Sequence, residues 1–364
     1  MKHPYTSLPP KAFWRKSVGG LKPSNVDPVG KFDLKIGRET KVATAGSCFA
    51  QHIARHLRQS GFNYFVAEPG HPILPQKARD ANNYGLFSCR YGNIYTARQL
   101  RQLMERSCGR FEPREDVWFD APDVVRDPFR PTAQPGGFIS EEEMRLDRAQ
   151  HLEAVKRMLE QLDVFVFTLG LTECWRSRDD GAVFPLCPGV EGGQFDPDRH
   201  EFYNQTVDDV IADLTAFIEA LEAINPDAQV VLTVSPVPLA ATAEPQAHVL
   251  SATTYSKSIL RVAAEVMRQR FANVHYFPSY EIITGAFSRG AYYADDLRNV
   301  VEEGVRHVMR LFMLHAAGIE QPAASSAVGE TPESIYLAAA QRLVDVECDE
   351  ALLDRRPDHD RLNA

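Results

Sequence analysis

Gly46-Ser47-Cys48-Phe49-Ala50 sets two nucleophile-bearing side chains next to each other. They follow Lys41–Ser47 (KVATAGS), a short strand of small residues, and precede Phe49–Gln59, a helix with Gly61 at its C-terminal cap. A side chain at such a junction meets unpaired N–H groups and the positive end of the helix dipole. That favours a thiolate at Cys48, whereas Ser47 needs a base to activate it. Structural roles compete: Ser47 also suits a helix cap, and Cys48 a small buried hydrophobe. Gly170-Leu171-Thr172-Glu173 follows another strand. There the Thr172 hydroxyl can donate to an oxyanion, and Glu173 can orient it or bind substrate. The same pair equally starts a helix. Gly92 and Asn93, in Tyr91-Gly92-Asn93, are further oxyanion or substrate candidates, and Arg130 is a candidate for an anionic substrate group. Asp296 precedes the last helix, with Asn299, another oxyanion or substrate candidate, three residues on. His52 shares a helix face with Cys48 and is the candidate base. Adding His56 makes a stripe of about 12 Å, too long for one ion. His71, His200, His248 and His307 are other imidazoles without an assigned role. No metal spacing and no Gly-rich phosphate loop is present, so neither metal nor cofactor is expected.

These residues need a scaffold that brings strand ends together. Asn63–Glu68 reads as a second strand, and Asp163–Leu169 and Gln229–Ser235 as strands buried on both faces. Asn273–Phe277 reads as the last strand. Helices are expected at Ala97–Ser107 behind Thr96, from Ser140 with Glu143 as a capping box to Leu162, and behind Thr206 and Asp209. The last of these carries the stripe Val207, Val210, Ile211, Leu214, Phe217, Ile218 and Leu221 and stops at Asn225-Pro226. Thr253–Arg270 and Val300–His315 complete the helices. Strands alternating with helices predict an α/β fold with a parallel sheet covered on both faces, where ligands bind at the carboxyl ends of the strands. Residues 1–35 read as an arm, 36–320 as the main domain, 69–139 as an irregular Pro-rich insertion or lid, and 321–364 as a linker with an acidic helical tail.

The chain has 364 residues and a formal charge of −9. Nine acids and four bases fall within residues 321–364, so the remainder is close to neutral. That charge argues against a nucleic-acid binder. Six scattered cysteines read as mostly free thiols in a reducing compartment. The N-terminus lacks an apolar signal segment and no apolar run is long enough to span a membrane, so a cytoplasmic protein is expected.

The strings GSCFA, FTLGLTE, LTVSPVPL, TYSKS and FPSYEI resemble the GSCFA family of bacterial proteins, over about residues 35–315. That family is similar to the SGNH/GDSL hydrolases, which implies a three-layer, flavodoxin-like α/β fold with esterase or acyl-transfer chemistry. In the SGNH pattern the nucleophile stands two residues after the first-block Gly, which is Cys48; Ser47 takes the Asp slot. Thr172 takes the slot of the oxyanion Asn in the third block, and Gly92 is the candidate for the second. The fourth block departs: Asp296 is followed by Asn299 where the pattern has His. The resemblance implies an acyl-enzyme mechanism on a small acyl or glycan ester, with Asp296 orienting a histidine not identified. The alternative is a carbohydrate-binding or scaffolding protein that has lost its base. Lys257, in Tyr255-Ser256-Lys257-Ser258, reads as a structural helix residue.

Overall fold

Val42–Gly46 forms β1, and every one of its residues is buried. A computed structural model describes residues 3–121 and 124–320; the expected acidic tail lies outside the described residues. β1 pairs in parallel with β4 (Val164–Leu169), β4 with β8 (Gln229–Val234), and β8 with β9 (Val274–Tyr276). Continuous burial of β1 and β4 explains their unbroken apolar sequences, since both faces of a parallel sheet are covered. The expected second strand, Asn63–Glu68, shrinks to a single parallel bridge between Val42 and Tyr64. It still fixes the order Tyr64-β1-β4-β8-β9. The chain leaves β1 to one side and then crosses to the other, so the order reverses between β1 and β4. Ligands of open α/β sheets bind at such a reversal, at the carboxyl edge.

Helices α1 (Phe49–Gln59), α2 (Gln76–Ala81), α3 (Ala97–Ser107), α4 (Glu141–Gln161), α5 (Val207–Ile224) and α6 (Val249–Arg270) accompany this sheet. α1 packs on β1 and β4, and α6 on β8 and β9. The caps read from sequence are formed: Thr96 Oγ1 accepts from Gln99 N, and Thr206 with Asp209 makes a full capping box. Ser140 accepts from Glu143 N, but Glu143 turns back to Ile139 N instead of Ser140. α6 begins four residues earlier than expected, where His248 Nδ1 accepts from Leu250 N.

The segment expected as an irregular insertion is largely structured. It holds α2, α3 and a hairpin of β2 (Trp118–Ala121) with β3 (Val124–Arg126). Buried arginines pin it. Asp127 accepts from Arg130 and Arg148, Asp147 accepts from Arg90 and Arg130, and all of these except Asp147 are buried. Burial alone raises the Asp127 carboxyl, but Arg130, Arg148 and Arg106 hold it well below the usual carboxylate range. A second sheet went unread in the sequence: β5 (Glu173–Ser177), β6 (Val183–Phe184) and β7 (His200–Asn204), antiparallel in the order β6-β5-β7. Thr172 and Glu173 therefore begin no helix; Glu173 opens β5.

The described residues divide into two compact units. Residues 38–276 form the one just described; residues 3–37 with 277–320 form the other. In the second, α7 (Ser279–Thr284) and α8 (Glu302–Ala317) pack together. Phe32 meets Phe277 and Phe312 edge-on, Ile36 N donates to Ala316 O, and Lys35 Nζ donates to His315 O. Residues 26–36 are thus a built part of that unit.

Candidate functional site

Three stretches meet at the carboxyl edge between β1 and β4. Gly46 ends β1 with φ +133°, and a Cβ there would stand 2.4 Å from Thr168 O of β4. Only glycine allows that approach. Ser47 follows, its N–H donating to Thr168 O at 3.1 Å. Gly170 lies opposite: a Cβ on it would be 3.2 Å from Ser47 Cβ and 3.0 Å from Tyr95 O. Residues 93–95 stitch the two ends together. Ile94 N donates to Gly46 O at 2.9 Å, and Tyr95 O accepts from both Gly170 N and Leu171 N. The sequence blocks around Gly46, Asn93 and Gly170, the first and last of them more than a hundred residues apart, are thereby contiguous.

Ser47 is 2% exposed, and its Oγ has no hydrogen-bond partner among the described residues. It does not cap α1; the capping position belongs to Cys48, and no side chain caps that end. A buried hydroxyl without a partner costs about 1–3 kcal/mol, so its retention calls for an explanation. Cys48 is buried and disulfide-bonded, which corrects the expectation of a free thiol there. Cys89, Cys108, Cys174 and Cys187 are free.

Thr172 is fully buried, but its groups are committed. Its N–H donates to Ser256 Oγ at 3.0 Å and its hydroxyl to Asn204 Oδ1 at 2.7 Å. A hydroxyl has one proton, so the expected donation to an oxyanion is corrected: Thr172 joins α6 and β7 to the β4–β5 corner. Glu173 does not orient Thr172. It accepts from Thr242 Oγ1 at 2.7 Å and from Ala243 N at 3.3 Å, and burial raises its pKa. Lys257, read from sequence as structural, is 1% exposed and donates through Nζ to Gly170 O at 2.7 Å. With Ser256 it makes α6 the element that holds the glycine facing Ser47. A lysine on the buried face of an amphipathic helix was the available signal.

The imidazoles divide among other tasks. His52 lies against Phe49, ring centroids 5.5 Å apart, with its pKa lowered to about 4 by burial and then by Arg55. It is neutral at pH 7 and a weak base. His151 bonds Glu68, and His200 bonds Glu115. In the other unit His307 takes Tyr292 OH and Val26 O, and burial, then Arg310, lowers it to about 4. Gly92 has positive φ and Asn93 is buried, its carbonyl accepting from Gln99 Nε2. Arg130 is buried and paired with Asp127 and Asp147, so the expectation of an anionic substrate contact is corrected. Asp296 and Asn299 belong to the second unit, where Asn299 Nδ2 donates to Asp296 Oδ2 at 2.5 Å and two backbone N–H groups hold Oδ1. Those bonds lower the Asp296 pKa although desolvation works the other way.

An apolar cavity of about 250 Å³ opens beside this edge, bounded by Tyr95, Leu171 and Glu173 at the near end and by the β5–β6–β7 sheet beyond. Among the described residues no group of His, Cys, Asp and Glu is placed to hold a metal ion, and no helix is long and apolar enough to cross a membrane. No curated protein matches the chain. A model of the GSCFA family matches residues 41–312, from the residue before β1 into α8. The match spans most of the chain and takes in all three stretches that meet at Ser47, so the chain belongs to the GSCFA family.

Proposed function

We propose that the edge formed by Gly46–Cys48, Asn93 and Gly170 is an acyl-transfer site of SGNH-like type. It acts as an esterase or acyltransferase on a small acyl or glycan ester through a covalent acyl-enzyme. The unpartnered, buried Ser47 Oγ at the reversal between β1 and β4 carries this reading. It is a hydroxyl kept from solvent and from any structural bond, at the strand end where α/β sheets hold ligands. Attack forms an Oγ–acyl bond, the Oγ proton leaves to a base, and the alcohol of the ester departs. Cys48 is the second nucleophile of the reading, and it acts only once its disulfide is reduced.

Labelling with a fluorophosphonate and with iodoacetamide, each with and without reductant, tests the proposal. Fluorophosphonate capture at Ser47 supports the serine route, and reductant-dependent alkylation at Cys48 supports the thiol route. A folded protein that takes up neither reagent defeats both.

A second reading rests on Asn299, which stands where the SGNH pattern has its histidine. It makes the chain a carbohydrate-binding or scaffolding protein with a retained cleft and no base. Asn299→His with no gain in labelling, together with saturable binding of an oligosaccharide panel, favours that reading. A gain of tenfold or more favours the enzyme.

A further inference from the structure

The cavity that Tyr95 borders is walled by Leu171, Trp175, Phe184, Leu186, Phe202 and Leu239. Five of its polar lining side chains are turned to partners inside the protein. Gln99 accepts from Tyr95 N and donates to Asn93 O. Both Glu173 oxygens are taken by Thr242 and Ala243, and Thr242 Oγ1 also accepts from Glu244 N. Cys174 Sγ and Cys187 Sγ donate to the Tyr203 and Pro188 carbonyls. Most of what faces the cavity is hydrocarbon, and among the described residues no lysine, arginine or histidine lines it. The walls are built before any occupant arrives: the Trp175 ring is fixed edge-on between Phe195 at 5.2 Å and Phe202 at 5.7 Å. An apolar cavity of about 150 Å³ suffices for benzene, so 250 Å³ takes a longer group. The near end is Tyr95 and Leu171, and Tyr95 O bonds the Gly170 N–H directly across from Ser47.

We infer that this cavity is the acyl pocket of the site, and that it selects an uncharged, medium-length acyl chain of about eight carbons over acetyl. This rests on the acyl-transfer reading above and names its substrate class. A glycan enters poorly, because these mostly hydrocarbon walls offer a sugar few hydrogen-bonding groups.

Titration calorimetry of the full chain with acetamide, butanamide, hexanamide and octanamide tests the pocket without any chemistry. Affinity is expected to rise about fourfold per methylene and to be the same in Ser47→Ala. Ala241 and Ala243 line the exposed rim, so Ala241→Trp or Ala243→Trp fills the mouth without touching the core. Each is expected to weaken octanamide at least tenfold with an unchanged circular dichroism spectrum. Binding that is absent, independent of chain length, or intact in both tryptophan variants overturns the inference. Octanamide binding without Ser47 or Cys48 labelling keeps the pocket and removes the acyl-transfer reading; labelling without octanamide binding does the reverse.

Discussion

Ser47 and Gly170 face each other so closely that a methyl group on Gly170 would stand 3.2 Å from Ser47 Cβ. Neither is held by the other. Ser47 is positioned by its backbone N–H on Thr168 O, and Gly170 by Tyr95 O and by the Lys257 ammonium on its carbonyl. The space around the hydroxyl is therefore set by main chain and by one buried side chain of α6.

Ser47→Ala is expected to raise stability by about 1 kcal/mol, because it removes a buried hydroxyl that has no partner. The same change abolishes fluorophosphonate labelling under the serine route. Urea unfolding and probe uptake on one preparation check both. A loss of stability would mean that the hydroxyl has a structural partner after all.

Gly46→Ala combines a left-handed φ with a Cβ 2.4 Å from the Thr168 carbonyl oxygen. Backbone strain and backbone clash add, so about 3 kcal/mol or more of destabilisation is expected. Gly170→Ala meets its nearest atom at 3.0 Å and has no positive φ, so it is expected to cost less. Thermal unfolding of the pair gives the ranking.

His52 and His307 both titrate in the native state near 4, below the 6.5 of an exposed histidine. The unfolded chain thus binds protons first as pH falls. The stability due to each neutral imidazole is complete above about pH 6.5, is lost between 6.5 and 4, and falls no further below. Between pH 7 and pH 5 each contributes a loss of about 2 kcal/mol. Denaturation midpoints across that range should fall with pH, and His307→Gln should flatten the slope. A flat profile in the native protein would contradict the burial of both rings.

Asp127→Asn leaves Arg130 and Arg148 facing an amide inside the ion-pair group. Breaking one partner out of a buried pair costs about 3–5 kcal/mol. Urea midpoints should show it, and high salt should not restore the loss, since buried pairs are poorly screened.

The parallel sheet was legible because its strands are buried on both faces and so read as unbroken apolar runs: VFVFTL and QVVLTV need no partner to be recognised. Thr206 with Asp209 marked α5 because a capping box is local chemistry. The β5–β6–β7 sheet was not legible. Its strands are short, half-buried and rich in Arg, Glu and Trp, so they carry neither alternation nor an apolar run. The second strand was overread, because Tyr64 and Phe65 have strand propensity but only Tyr64 finds a bridge to β1. At the site, Ser47 and Gly170 were legible from their place after strands. The commitments of Thr172 to Asn204 and of Arg130 to Asp127 were not, since each depends on where a second element comes to rest.

The β5–β6–β7 sheet interrupts the alternation of strand and helix after β4 and forms the far wall of the cavity. Under the proposed acyl-transfer reading, the nucleophile and the pocket walls thereby lie in separate pieces of chain. Gly46 and Gly170 are held by main-chain packing that leaves little room for a side chain. Trp175, Phe184 and Phe202 stand on a small accessory sheet whose side chains can be exchanged for larger or smaller ones. If the proposed pocket holds the acyl chain, a protein engineer seeking a new chain-length preference has only that short stretch to rewrite.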